Sequence, residues 1–505
     1  MHTQQTDYDI IIVGAGIVGA MVARFLSRYD LRILWVEKDA DICTGATAAN
    51  SAILHGGYDA VPGTLKAAMN VRGNAMWDQL AEELHFSIDR CGTYVVAVGE
   101  DERLALSELE ARGKVNGVPV EIISGDTMRS REPKVTPETS GALYCPTGGV
   151  CDPWGATLAA GENAVSNGVT LFRRTTFEDF LWDPDDPGRI VGARTSQGDF
   201  RARWVINAAG LYADGVMHKA GVRPEFKITP RRGEYYVIDR NRFEMHSVLF
   251  PVPSKISKGI LVTTTVHGNT IVGPNAEEID DKEDTAVTAE GLREVWDGAL
   301  KLVPDLAVRD AIAVFAGLRP GGNAPAPNPA VDYHKDFIVE IPTTSSRGAL
   351  RGLINLGGIE SPGLTAAPAI ALRVIELLRD TGEPLREKRD WNPIRPARPV
   401  FRHLSHAEQA ELVQHDPRYG RIICRCEYVT EGEIVAEIHA PIPADTYDAI
   451  KRRTWLGTGR CQGAFDMPRV TEILARELGC DPLDVSKKGT GSEFLTRRTK
   501  ALEED

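Results

Sequence analysis

Gly14-Ala15-Gly16-Ile17-Val18-Gly19 follows a short β-branched run, Tyr8 to Val13, and opens an apolar helical pattern from Ile17 to Leu26. A second strand-like run, Leu31 to Val36, ends at Glu37. Few chain paths accommodate this order. Gly14 allows a tight turn out of the strand, Gly16 lets backbone approach a pyrophosphate, and Gly19 permits close helix packing, while Glu37 stands where ribose hydroxyls are accepted. The spacing predicts a βαβ unit that binds a dinucleotide at the helix N-terminus.

The rest of the chain fits a mixed α/β protein of about three folding units, given 505 residues and a usual domain size of roughly 150. Strand-like runs at Tyr94–Val98, Trp204–Asn207, Tyr235–Ile238, Gly259–Thr264, Phe337–Glu340 and Gly352–Leu356 alternate with helical patterns at Leu104–Arg112 and Ala366–Leu378. Acidic residues outnumber basic ones 71 to 58, for a formal charge of −13. A general attraction to nucleic acid or anionic lipid is therefore not expected, and an anionic substrate needs a local basic pocket. The longest apolar stretch, Ile10 to Ala23, is too short and too glycine-broken to cross a bilayer. The acidic residues Asp7 and Asp9 precede it where a secretory signal carries Lys or Arg. The expectation is a cytoplasmic protein with no transmembrane segment, with peripheral attachment at the inner membrane face left open.

Two further stretches resemble the FAD-binding oxidoreductases of the D-amino-acid oxidase and glycerol-3-phosphate dehydrogenase superfamily. One runs Ala49-Asn50-Ser51-Ala52-Ile53-Leu54-His55-Gly56-Gly57, followed by Pro62 to Ala67; the other is Val205-Ile206-Asn207-Ala208-Ala209-Gly210 with Tyr212-Ala213-Asp214. Gly357-Gly358-Ile359-Glu360-Ser361-Pro362-Gly363-Leu364-Thr365 resembles the superfamily's closing flavin motif, a glycine-rich loop whose free N–H groups face the ring. The resemblance implies FAD contacts at Gly14, Gly16, Gly19, Glu37, Lys38, Thr47, Asn50, Ser51, Ala209, Gly210, Gly358, Gly363, Leu364 and Thr365.

Near the C-terminus stand Cys424-Arg425-Cys426 and, later, Gly459-Arg460-Cys461-Gln462-Gly463. Thiolates so spaced suit an iron–sulfur cluster. The pattern resembles the bacterioferritin-associated-ferredoxin-like [2Fe-2S] domain of type 2, anaerobic-style glycerol-3-phosphate dehydrogenases, with Asp466 where that family has its fourth cysteine. Asp466 as ligand, Cys480 as substitute, or an empty site are the alternatives. Cys43, Cys91, Cys145 and Cys151, scattered singly, read as small core residues.

Together these likenesses imply an α/β fold: a Rossmann-type FAD-binding domain with an inserted α+β substrate domain and a small helical Fe–S-type domain. The implied boundaries are 1–85, 141–225 and 326–380 for the FAD-binding domain, and 86–140 and 226–325 for the substrate domain. A Pro-rich linker at 381–415, a [2Fe-2S]-binding-like domain at 416–482 and a tail at 483–505 complete the chain.

The family resemblance makes oxidation of sn-glycerol 3-phosphate to dihydroxyacetone phosphate the leading activity, with electrons leaving to a partner protein or the quinone pool. An L-2-hydroxyglutarate dehydrogenase or oxidase is the rival within the class. An electron-transfer or assembly subunit with little turnover is the rival outside it. Such an enzyme needs a base for the hydroxyl proton and cations for an anionic substrate. His55, in the small-residue loop, is the candidate base. Arg319, in Gly317-Leu318-Arg319-Pro320, is the candidate anion clamp, and Arg232 and Lys258 are further candidates. His267, in His267-Gly268-Asn269, reads as a hairpin turn.

Overall fold

A computed structural model describes residues 7–222, 226–253, 259–322, 336–344 and 348–498. The strand Asp7–Val13 lies at the centre of an eight-stranded sheet, parallel to Ile33–Val36 on one side and to Gly198–Asn207 on the other. Thr170–Phe172 and Leu353–Gly357 extend the parallel core outward, and Ile338–Glu340 closes one edge antiparallel. Side chains alternate across a strand, so Ile10 and Ile12 enter the core on one face while Ile11 and Val13 enter the other. A strand buried on both faces reads as an unbroken apolar run, which is why Tyr8 to Val13 shows no polar alternation. The helix Ile17–Leu26 packs on this sheet beside Pro153–Ser166 and Gly363–Asp380.

A second, nine-stranded and largely antiparallel sheet carries the inserted domain. Its longest pair, Ile228–Ile238 with Ala311–Gly322, sets Arg231 opposite Arg319 and Gly233 opposite Gly317. Gly317 is one close contact between the two domains: a Cβ there would stand 2.1 Å from the Ala49 carbonyl oxygen. His267 to Asn269 does form a hairpin turn, with Gly268 at φ +82° and its N–H donating to Thr265 O.

The C-terminal unit joins the short hairpin Ile422–Cys424 and Val429–Thr430 to the helices Glu431–Ile438, Tyr447–Thr454 and Met467–Leu478, around Ile434, Ile450, Leu456, Val470 and Leu474. It docks on the first domain through Asp41, whose carboxylate lies 2.8 Å from Arg452 and 2.7 Å from Arg453. Trp154 and Trp455 stack across the same junction with centroids 4.5 Å apart.

Three stretches near the expected boundaries show how the chain is held. Thr139–Cys145 pairs with Thr93–Val98 in the second sheet, so the substrate domain runs past 140 to 145. The 381–415 segment is not a free linker: Asp30 N–H donates to Arg386 O, Lys388 N–H to Arg28 O and Arg395 N–H to Glu83 O, and His406–His415 is a helix with a Ser405/Glu408 capping box. Its prolines and charges suggested solvated chain, but backbone donors found partners on the first domain. Residues 483–498 are also held, with Val485 buried in the C-terminal core and Ser486 O accepting from Tyr447 N–H.

Candidate active site and metal centre

The glycines of the first turn meet the demands read from their spacing. Gly14 adopts φ +100°, and a Cβ there would fall 2.5 Å from Ala208 O; one at Gly19 would fall 2.1 Å from Gly14 O. The helix beginning at Ile17 has no capping side chain at Gly16, and the Thr47 hydroxyl accepts from Ile17 N–H at 3.0 Å. Glu37 is buried, its oxygens accepting from Ala15 N–H at 2.7 Å and Asp39 N–H at 2.9 Å. Burial pushes its carboxyl up to about 7.

Lys38 turns elsewhere, to Glu283 at 3.3 Å. Asn50 braces its own loop, donating to Thr47 O and accepting from Ala52 N–H, and the Ser51 hydroxyl lies 3.3 Å from that of Tyr235. Open space lies off Gly45 and off Gly210, the latter at φ +56° directly after Ala209. A glycine turn opening a helix N-terminus, a buried acidic acceptor and this room fit an FAD pyrophosphate and ribose.

The loop near 360 closes on the same region. Gly358 takes φ +63°, and the helix Gly363–Asp380 starts after Pro362 with no side-chain cap, its Gly363 N–H donating to Glu360 O at 2.6 Å. Thr365 ties the loop to the amino end: its hydroxyl accepts from His55 N–H at 2.9 Å and donates to Ile53 O. His55 Nε2 stands 3.1 Å from Ser361 Oγ, and the ring lies 5.9 Å from that of Phe250.

Around the adjacent Glu360 converge three cations. Lys66 Nζ is 3.2 Å from Oε1 and Arg231 Nη1 is 3.9 Å from Oε2. Arg319 spans the strand pair opposite Arg231, with Nη2 donating to Asn275 O at 2.5 Å. Burial opposes ionisation of Glu360, but Lys66, then Arg231 and Arg319, hold its carboxyl below the usual range. Burial likewise depresses Arg319, which donates to the backbone carbonyls of Arg231, Arg232 and Asn275. Arg231 also pairs with Glu278 at 3.4 Å, so Glu360 and Glu278 together answer Lys66, Arg231 and Arg319, leaving a net positive charge suited to a further anion.

Arg232 faces the other way. It is buried and engaged by Glu277 at 2.6 Å, Asp284 at 2.8 Å and Glu234 at 3.6 Å, on the strand face opposite Arg231. Lys258 lies outside the described residues. Lys66, Arg231, Glu360 and Ser361 carried no assigned role in the sequence reading.

In the C-terminal unit, Cys424 Sγ lies 4.0 Å from Cys461 Sγ, and Asp466 Oδ2 lies 3.7 Å from the latter. Backbone N–H groups already face sulfur: Gly457 donates to Cys424 at 3.5 Å and Cys461 to Cys426 at 3.3 Å. A Cβ on Gly459 would meet Cys426 Cβ at 2.7 Å, so glycine is what lets the two loops close. Three thiols and a carboxylate with amide donors at the sulfurs fit an iron–sulfur group. Cys426 and Cys480 both lie outside the compact group formed by Cys424, Cys461 and Asp466, but Cys426 Sγ is tied to the Cys461 backbone. Among the described residues no helix is long and apolar enough to cross a membrane.

Residues 9–377 match the FAD dependent oxidoreductase family, and residues 422–476 match the BFD-like [2Fe-2S] binding domain. The chain is 44% identical to a glycerol 3-phosphate dehydrogenase of Caloramator mitchellensis over 98% of its own length and 99% of that protein's. It overlays on the FAD-bound, dithionite-reduced L-alpha-glycerophosphate oxidase of Mycoplasma pneumoniae with a TM-score of 0.69 at 30% identity, covering 78% of this chain and 99% of that one. An L-2-hydroxyglutarate dehydrogenase of Escherichia coli (strain K12) is 30% identical over 53% of this chain and 64% of that protein. Glycine-built cofactor turn, closing loop, matched family and near-complete coverage agree, and the chain belongs to the FAD dependent oxidoreductases, carrying a BFD-like [2Fe-2S] binding domain at its C-terminus.

Proposed function

We propose that the protein oxidises sn-glycerol 3-phosphate to dihydroxyacetone phosphate. The observation that carries this reading is the cluster of Lys66, Arg231 and Arg319 around Glu360, an excess of cations even with Glu278 on Arg231, next in the chain to the Ser361–His55 contact. A phosphate dianion concentrates its charge at one end, and guanidinium forks meet it bidentately. Full-length similarity to the Caloramator dehydrogenase supports the same substrate.

Gly14, Gly16, Gly19, Glu37, Thr47, Gly210 and the 358–365 loop would hold FAD, which when bound supplies a two-electron acceptor for hydride. The chain's own part is to place the alcohol. Arg319 and Arg231 bind the phosphate, Lys66 keeps Glu360 ionised and fixed, and His55 Nε2 takes the hydroxyl proton, its ring steered by Ser361. Thr365 fixes the backbone of His55, so the base and the closing loop move as one piece.

Cys424, Cys426 and Cys461 would hold the cluster. Electrons leave to a protein partner or to quinone, the second requiring attachment at the inner membrane face. L-2-hydroxyglutarate is the competing substrate, and similarity to that enzyme reaches about half of this chain. Steady-state kinetics with both compounds and an artificial acceptor test the choice. A kcat/KM for glycerol 3-phosphate at least about a hundredfold above that for L-2-hydroxyglutarate, a difference of about 2.8 kcal/mol, is expected. The reverse order would refute it.

A further inference from the structure

We infer that Asp466 is a ligand of the metal group, so that the C-terminal domain binds its [2Fe-2S] cluster through three thiolates and one carboxylate. This rests on the reading that the domain holds such a cluster.

Asp466 occupies the residue before the helix Met467–Leu478, where Asp ordinarily accepts from a backbone N–H of the first turn. Here it makes no such bond and turns inward. Only 1% of its surface is exposed. The buried Tyr447 hydroxyl donates to Oδ1 at 2.7 Å, while Oδ2 faces Cys461 Sγ. One carboxylate oxygen and the sulfurs of Cys424 and Cys461 all lie within 4.8 Å of one another. Among the described residues no Lys, Arg or His forms an ion pair with Asp466.

A buried carboxylate with no cation at ion-pair distance is costly, and the charge of Lys451 acts on Asp466 only from beyond that distance. A metal supplies the close charge. The surrounding backbone is shaped for the carboxylate: a Cβ at either Gly457 or Gly463 would come 2.5 Å from the Tyr447 hydroxyl. Two loops therefore pass directly over the group that holds Asp466. A carboxylate is a harder donor than thiolate. Replacing one thiolate by oxygen weakens sulfur-to-iron charge transfer and shifts it to shorter wavelength.

The test is anaerobic reconstitution of the full-length, FAD-loaded chain with ferrous iron and sulfide. Iron, acid-labile sulfide, the visible spectrum and the EPR signal after dithionite are read for the native protein, Asp466→Cys, Asp466→Asn and Asp466→Ala. The native chain is expected to retain iron and sulfide in equal amounts through desalting. Asp466→Cys should retain the same amounts with a red-shifted, stronger charge-transfer band and altered g-values. Asp466→Ala should lose the group. Asp466→Asn keeps the shape and a Tyr447 contact, so iron loss in that variant with an unchanged unfolding transition excludes misfolding as the cause.

Full iron and sulfide in Asp466→Ala, with the native spectrum, would overturn the ligand assignment while leaving the cluster reading intact. So would a native chain that stays bare while Asp466→Cys fills. A native chain and an Asp466→Cys variant that both refuse iron and sulfide would overturn the cluster reading itself, and the ligand assignment with it.

Discussion

Replacing Arg319 and Arg232 separately, each by Met, separates the residue that meets substrate from the one that holds the fold. Arg319 is half-buried, its guanidinium held by backbone carbonyls and its pKa depressed by burial. Met fills a similar volume and removes a costly buried charge, so thermal stability without substrate should hold or rise. Two charge-assisted bonds to phosphate, each about 1.5–3 kcal/mol, are lost. Their sum, about 3–6 kcal/mol, predicts a fall in kcat/KM of roughly two to four orders of magnitude.

Arg232→Met should do the opposite. Glu234 has no exposed surface and would lose its cation, keeping only the Thr288 donors. Glu277 and Asp284 reach solvent, so the cost stays near the lower end of a broken buried pair, about 3 kcal/mol, with kcat/KM per folded enzyme within about threefold of native. The assay is acceptor-dye reduction beside thermal unfolding. Full kcat/KM in Arg319→Met, or lost activity without lost stability in Arg232→Met, would refute the assignment of the two faces.

Three further outcomes follow from the same geometry. His55→Gln should lower kcat by about a hundredfold or more and remove the acidic limb of the pH–rate profile, measured with Ser361→Ala as a milder companion; an unchanged limb would remove His55 as base. Glu37 has a folded pKa raised by burial from 4.5 to about 7. Its contribution to the FAD-free fold is fully present below pH about 4.5 and lost as pH rises through about 7. Glu37→Gln should therefore gain stability relative to native at pH 8 more than at pH 5, as read by unfolding of FAD-free protein. Asp41 is held well below the usual carboxylate range, burial being outweighed by Arg453 and then Arg452. That support is present above pH about 3.8 and is lost as pH falls toward the depressed folded value. Arg453→Met leaves Asp41 with Arg452 alone at close range, and should lower the unfolding transition at neutral pH and weaken its further loss on acidification; a transition unchanged at both pH values would contradict it.

What could be read in the chain follows from how local each constraint is. The first turn was legible because Gly14 and Gly19 are demanded by atoms a few residues or one strand away, and the helix Ile17–Leu26 has the bounds its apolar pattern gives. The 357–365 loop was legible for the same reason. Arg231 and Arg232 were not separable in advance, because neighbours on a strand face opposite ways and the sequence does not say which face meets the site. One trace existed: Arg232 and Glu234, two apart, share a face, and that pairing marks a structural ion pair. The Lys66–Glu360 and Trp154–Trp455 contacts join distant segments through the domain arrangement, and no local pattern encodes them. The linker reading failed because composition reports solubility of a segment, not whether a neighbouring surface offers it hydrogen-bond partners.

Anaerobic titration of the purified, FAD-loaded protein with glycerol 3-phosphate tests the central claim most directly. Bleaching of the flavin absorbance at near-stoichiometric substrate, with dihydroxyacetone phosphate appearing in equal amount, is the predicted result. Flavin that keeps its colour with glycerol 3-phosphate yet bleaches with L-2-hydroxyglutarate would contradict the account.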